Sequence, residues 1–66
     1  MNECVKISLE AARVNANMTI SEVAETMHLS RNTIINWEKG RTKIPYKSLI
    51  SLCELYKFPV DYIFLP

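Results

Sequence analysis

The stretch at residues 19–40, TISEVAETMHLSRNTIINWEKG, decides the fold of this 66-residue chain. Thr19 is a good N-cap for a helix, and Glu22 completes a Thr-x-x-Glu capping box in which both side chains satisfy free backbone N–H groups. Ser30 is an N-cap residue type for a second helix, which Gly40 is expected to end because glycine readily adopts a positive φ. The stretch therefore predicts two consecutive helices joined by a short turn.

The apolar residues of this stretch indicate how the two helices meet. A turn of about three residues forces them to cross at a steep angle, which requires a small residue at the crossing. Ala24 lies at that position. Five apolar residues have the spacing to lock the second helix onto the first: Val23, Met27, Leu29, Ile34 and Trp37. The pattern predicts a helix-turn-helix whose second helix shows its outer face to solvent.

The predicted outer face of the second helix suits a contact with DNA. Its side chains are Arg31, Asn32, Ile35, Asn36 and Lys39. Arg and Asn form paired hydrogen bonds with the edges of guanine and adenine in the major groove, and residues near the start of such a helix reach the bases. We expect base reading by Arg31, Asn32, Ile35 and Asn36. Ile35 either contacts a thymine methyl group or stands on this face incidentally, and both interpretations stay open at this stage.

Charge favours the same surface, although the net charge of the chain is only +1. Residues 29–47 carry five Lys or Arg side chains and a single Glu, whereas the segments on either side are acidic in balance. A local basic face can attract phosphates even when the whole chain is near neutral. The alternative is that this segment is an ordinary solvated surface.

Further helical patterns surround the motif. One covers about residues 3–15, another opens near Pro45 and is stopped by Pro59, and the last is a short turn over residues 59–65. The side chains predicted to face the core from these segments are Val5, Leu9, Ala12, Ala16, Leu49, Leu52, Cys53, Tyr56, Val60, Ile63 and Phe64. No stretch alternates at period two. We therefore expect an all-α chain: a compact five-helix bundle that forms one domain over residues 1–66, without a sheet.

Composition argues against several other classes of protein. Cys4 and Cys53 are far apart and the chain has one His, which is not the spacing of a zinc site, and we expect both cysteines to be reduced thiols in the cytoplasm. No apolar run approaches the roughly 18 residues of a membrane span. The chain has no Ser/His/Asp set and no glycine-rich loop that could cradle a phosphate. We expect no enzymatic activity, no metal, no cofactor and no membrane contact.

The chain resembles the lambda-repressor-like helix-turn-helix regulators of bacteria and phages, the Cro/CI and Xre type. The most specific matching string is S-R-x-T-I-x-x-W-E-x-G at residues 30–40, and the resemblance covers nearly the whole chain. Further matching residues are Leu9, Arg13, Met18, Thr19, Val23, Ala24, Leu29, Val60, Asp61, Tyr62 and Ile63. The resemblance implies a five-helix bundle that inserts its third helix into the major groove of double-stranded operator DNA, as a repressor-like transcriptional regulator.

The resemblance also implies roles for other side chains. Arg13 is expected to pair with Glu38, which makes Glu38 structural and not base-reading. Phosphate contacts are expected from Thr19, Ser21, Ser30, Lys39, Arg41 and Lys43. The chain departs from the family pattern where Ile20 replaces a common phosphate-binding Gln, and where His28 and Lys57 replace common glycines.

Two questions stay open at the level of sequence. Tyr62, Phe64 and Leu65 exceed what a thin core needs, and they either form a homodimer patch or cap the bundle; a dimer suits a regulator, because one recognition helix reads only a few base pairs. The weak net charge and Ile20 also suit a second function, a protein-interaction module of the antirepressor or antitoxin-like kind. An RNA-binding module ranks last, since the chain lacks an exposed aromatic platform for stacking bases.

Overall fold

The computed structural model describes residues 6–66. In this part of the chain four α-helices follow one another: α1 (Leu9–Asn15), α2 (Ile20–Met27), α3 (Arg31–Glu38) and α4 (Tyr46–Tyr56). A 3-10 turn, Val60–Tyr62, comes after them. The all-α class is confirmed, whereas the expected count of five helices is wrong, because the backbone becomes extended at Ile63 and the last segment stops after one turn. None of the helices described is both long enough and apolar enough to cross a lipid bilayer.

The described chain enters α1 through an extended segment. The prediction of a helix from about residue 3 is wrong for residues 6–8, and residues 1–5 lie outside the described part. Ile7 donates its N–H to the carbonyl of Tyr62 at 2.9 Å, and its own carbonyl accepts the N–H of Phe64 at 3.0 Å. These bonds form an isolated parallel bridge between Ile7 and Ile63. Residues 6–66 contain no β-strand beyond this bridge, in agreement with the all-α prediction.

Hydroxyl side chains begin three of the four helices. Ser8 caps α1, and its oxygen accepts the N–H of Ala11 at 3.0 Å. The predicted capping box at α2 is confirmed: Thr19 accepts the N–H of Glu22 at 3.1 Å, and the Glu22 carboxylate accepts the N–H of Thr19 at 2.9 Å. The predicted cap at Ser30 is confirmed for α3. These local bonds satisfy backbone donors that a short helix otherwise leaves free.

Each α-helix ends with a residue in the left-handed conformation, and only one of the four is glycine. The residues are Asn17 (φ 61°), His28 (φ 59°), Gly40 (φ 74°) and Lys57 (φ 57°). In each case the N–H of the following residue bonds to the carbonyl five positions earlier, at 2.9 to 3.2 Å, which is the Schellman arrangement. His28 and Lys57, which replace common glycines of the family pattern, thus both adopt the left-handed conformation. Pro59 is expected to stop the fourth helix, but α4 already ends at Tyr56 with Lys57 as its C-cap.

The core of the described chain lies where α1, the α2–α3 pair and α4 meet. Its buried apolar residues are Leu9, Ala12, Val23, Ala24, Ile34, Trp37, Ile44, Leu49, Leu52, Cys53, Tyr56 and Ile63. The prediction is wrong for Phe64, which is 48% exposed, because side chains alternate along extended backbone and Ile63 takes the inward position. Leu29, expected to lock the helix pair, lies exposed in the turn. Cys53 is a free thiol in this core, and burial raises its pKa.

Candidate nucleic-acid interface

The turn between α2 and α3 orients α3 in the molecule. α2 packs against α3 more extensively than any other two described helices pack together. Val23 and Ala24 on α2 belong to the same core cluster as Ile34 and Trp37 on α3. The left-handed residue His28 ends α2 and lets the chain turn back within three residues. The inner side of α3 is therefore fixed, and its outer side faces solvent.

The start of α3 is held by a small hydrogen-bond network. The Ser30 hydroxyl accepts the N–H of Thr33 at 3.2 Å and shares a further hydrogen bond with the Thr33 hydroxyl at 2.9 Å. Arg31 and Asn32 follow directly and are exposed. Because the cap fixes the backbone of the first turn, it also fixes the positions from which these two side chains project into solvent.

Two rows of side chains run along the outer side of α3. Residues four positions apart on a helix lie one above the other, so Arg31, Ile35 and Lys39 form one row, while Asn32 and Asn36 form the next. Ile35 and Asn36 are half-buried, and the other three are exposed. The five side chains predicted for the outer face thus share one surface of the molecule.

A buried ion pair ties the end of α3 to α1. Arg13 Nε donates to Glu38 Oε2 at 2.8 Å, and the side chains are only 10% and 6% exposed. Arg13 Nη1 also donates to the carbonyl of Met18, just before α2, at 3.0 Å. The hydrogen bond to Glu38 raises the pKa of Arg13, against the opposing effect of burial. Glu38 consequently faces the interior, where it cannot repel an anion on the outer face.

The Arg13–Glu38 pair lies beside the hydroxyl-bearing residue Tyr56 of α4. Burial raises the pKa of Tyr56 to about 12, and the negative charge of Glu38 adds to the rise while Arg13 opposes it. Within residues 6–66 every fully buried side-chain nitrogen and oxygen has a hydrogen-bond partner. The Arg13–Glu38 pair therefore holds α3 against α1 through polar contacts as well as through packing.

A family model described as a helix-turn-helix domain matches residues 7–65. The chain belongs to this helix-turn-helix family. Its α2, turn and α3 form the motif, and α3 has the position of the recognition helix, the element that such domains place in the major groove of DNA; α3 is called the recognition helix below. Membership therefore indicates a DNA-binding domain. No curated protein and no solved structure matches the chain significantly.

The starts of α2 and of the recognition helix share one shallow groove of this helix-turn-helix domain. Arg13, Val14, Asn17, Met18, Thr19, Ile20, Ser21 and Arg31 line it. Thr19 and Ser21, predicted to contact phosphate, are exposed there. Ile20 packs against the core cluster, so an apolar contact replaces the polar one that the family resemblance implies. The sequence pattern does not signal that Arg31 joins this groove, because the two helix starts lie on different elements.

The loop after the recognition helix carries the predicted basic residues Lys39, Arg41 and Lys43, all of them exposed. Glycine suits position 40 of this loop for two reasons. Its φ of 74° suits glycine, and a Cβ atom at this position would lie 2.8 Å from the side chain of Pro66. The C-terminal residue Pro66 therefore lies directly against the turn that carries these three cations.

The C-terminal segment of the domain leaves large apolar side chains in solvent. Tyr62, Phe64 and Leu65 are 43%, 48% and 45% exposed. Leu65 and Pro66 line a second groove together with Trp37, Gly40, Thr42, Lys43 and Ile44. This apolar patch therefore adjoins the C-terminal end of the recognition helix. Within residues 6–66 no group of three or more His, Cys, Asp or Glu side chains is placed to hold a metal ion.

Proposed function

We propose that this chain is a sequence-specific DNA-binding regulator of transcription, repressor-like and of the Cro/CI or Xre type, from a bacterium or phage. One observation carries the proposal: the recognition helix buries Ile34 and Trp37 on its inner side and presents Arg31 and Asn32 in solvent at its capped start. An arginine and an asparagine at this end of a recognition helix suit the edges of guanine and adenine in the major groove.

The proposed contacts divide into base reading and phosphate binding. Arg31, Asn32, Ile35 and Asn36 read bases. Phosphate binding falls to Thr19, Ser21, Ser30, Lys39, Arg41 and Lys43. The first three lie at the starts of α2 and α3 and the last three follow the recognition helix, so cations and polar groups flank the base-reading face at both ends. Contacts of the second kind position a protein on the duplex without reading its sequence.

A selection of duplexes from a random DNA library tests the proposal directly. The protein is mixed with the library at roughly physiological ionic strength, and the bound duplexes are sequenced. We expect enrichment of a short motif with two-fold symmetry. No enrichment would refute sequence-specific reading and would favour the alternative function, a protein-interaction module of the antirepressor or antitoxin-like kind on the same fold.

Arg31 needs its own test, because it faces both the outer side of the recognition helix and the groove at the start of α2. Arg31→Ala should cost about 1–3 kcal/mol of binding and relax specificity at one base pair. Arg31→Lys keeps the charge and loses the paired hydrogen bonds, so it should relax the same position while binding non-specific DNA as the wild type does. An equal loss on every sequence for Arg31→Ala, fully restored by Arg31→Lys, would assign Arg31 to phosphate.

We further propose that the protein binds as a homodimer through Tyr62, Phe64 and Leu65. The exposure of three large apolar side chains within four residues supports this patch, and one eight-residue recognition helix spans only about 12 Å of DNA. Phe64→Lys should lower the mass measured by sedimentation from dimer to monomer and weaken binding to a symmetric site. An unchanged mass for a dimeric protein would remove this patch from the interface.

A further inference from the structure

Ile35 is a half-buried apolar side chain that has no part in the core. Eight half-buried apolar residues of the described chain pack against the core cluster: Ile7, Ala16, Met18, Ile20, Met27, Leu55, Phe58 and Val60. Within residues 6–66 the only other half-buried apolar residues, outside this set of eight, are Ile35 and Ile50. Ile35 is therefore an apolar side chain on the outer side of the recognition helix that the core does not use.

The surroundings of Ile35 indicate what covers it. Arg31 lies one helical turn before it and Lys39 one turn after it, and both are exposed. These two cations attract DNA phosphates, so they favour an orientation in which the outer face of the recognition helix meets the duplex. Between the phosphate strands, the apolar group that the major groove offers is the C5 methyl of thymine.

We propose that Ile35 recognises the C5 methyl group of a thymine in the DNA site. The inference rests on the proposed function and adds one element of sequence to it. Arg31 and Ile35 are four residues apart, which is about 6 Å along the helix axis and about two base pairs of duplex at 3.4 Å each. The thymine therefore lies within about two base pairs of the base that Arg31 contacts.

Replacement of thymine by deoxyuridine tests this contact, because uracil lacks only the methyl group and keeps every hydrogen-bonding atom. In the duplex obtained by selection, each thymine is replaced singly and the dissociation constant is measured. For wild-type protein we expect about fourfold weaker binding at one position of each half-site and no change elsewhere; fourfold corresponds to about 0.8 kcal/mol, the value of one buried methyl-sized group.

Two variants show whether Ile35 makes the contact. Ile35→Ala should bind the thymine and uridine duplexes equally well. Ile50→Ala is the matched control, because Ile50 is also a half-buried isoleucine and lies on α4, and it should keep the fourfold difference. Since Ile35 does not pack against the core, Ile35→Ala should melt within about 4 °C of wild type.

The outcomes separate this inference from the proposed function. A wild-type protein that binds its selected duplex and tolerates uridine at every position would overturn the thymine contact alone. An Ile35→Ala variant that keeps the fourfold penalty would also overturn it, whereas failure to select any duplex would overturn both proposals. If Ile35→Ala does not fold, the uridine scan of wild-type protein still decides whether any methyl group is read.

Discussion

Substitution of Glu38 by glutamine measures how strongly the buried ion pair holds the recognition helix. Arg13 and Glu38 are 2.8 Å apart with side chains 10% and 6% exposed, and removal of one partner from a buried pair costs about 3–5 kcal/mol because the other charge stays unpaired. Glutamine still offers an oxygen to Arg13, so we expect a loss of about 3 kcal/mol. A chain of 66 residues has a free energy of unfolding of about 3–10 kcal/mol, and the loss should lower the melting temperature by roughly 12–24 °C.

Urea unfolding followed by circular dichroism and by fluorescence provides the measurement. Trp37, the only tryptophan, is buried in the core and reports the packing of the recognition helix. Glu25→Gln is the matched control, because Glu25 is exposed on α2 and its substitution should change the free energy of unfolding by less than about 0.5 kcal/mol. A loss for Glu38→Gln no larger than that of the control would refute the structural role of the pair.

A double replacement distinguishes the interaction between Arg13 and Glu38 from the separate contributions of the two side chains to stability. Arg13→Met combined with Glu38→Leu removes both charges together, and apolar replacement of a buried pair is often neutral or stabilising. The double variant should therefore be more stable than the sum of its two single changes by at least about 2 kcal/mol. Strictly additive losses would show that the two side chains act independently, in disagreement with the 2.8 Å contact.

Three further results follow from the structure. His28→Gly and Lys57→Gly should each raise the free energy of unfolding by about 0.5–1 kcal/mol, because glycine relieves the left-handed strain; His28→Ala, which keeps the Cβ atom, should give no gain in urea unfolding. Burial raises the pKa of Tyr56 from the ordinary 10.0 to about 12 in the folded state, so the folded state holds this proton more tightly and stability falls as the pH rises from 10 to 12. Tyr56→Phe should make that fall shallower, by at most about 1.4 kcal/mol per pH unit, and equal slopes would contradict the raised pKa. Lys43→Ala should reduce the slope of log affinity against log salt by about 0.9, while Lys6→Ala should leave it unchanged; equal slopes in titrations of both variants would remove Lys43 from the interface.

The features predicted well from the sequence are those decided by neighbouring residues. The capping box of Thr19 and Glu22, the cap at Ser30 and the positive φ of Gly40 each depend on side chains within a few positions, so the sequence alone predicts them. The left-handed turn at His28 is what the family resemblance implies, because a glycine is common at this position. These signals place α2 and α3 within one residue of where the structure has them.

The features predicted badly depend on distant contacts. Ser8 has the residue type of an N-cap, yet the apolar stripe that begins at Val5 favours an earlier start for the first helix. The competing extended state becomes favourable only when Ile7 finds hydrogen-bond partners near Ile63, and no local pattern contains that information. The outward position of Phe64 follows from the same bridge.

The sequence predicts which side chains belong to the candidate site better than it predicts how they are arranged in space. Helical periodicity assigns Arg31, Asn32 and Ile35 to the outer face, because it depends only on the period of an α-helix. The groove that Arg31 shares with the start of α2 is a tertiary feature, as is the absence of Ile35 from the core cluster. Sequence reasoning therefore names the side chains, and the packing of the helices decides what each can reach.

The Ile7–Ile63 bridge also bears on the order in which the molecule opens. It joins residues 56 positions apart, whereas the helices and the α2–α3 pair are built from contacts close in the chain. Closing so long a loop costs more entropy than closing a turn, so folding should form the helix-turn-helix early and the bridge late. The amide protons of Ile7 and Phe64, bonded across the bridge, should then exchange with solvent before those of α2 and α3, through a partial opening that leaves the recognition helix intact.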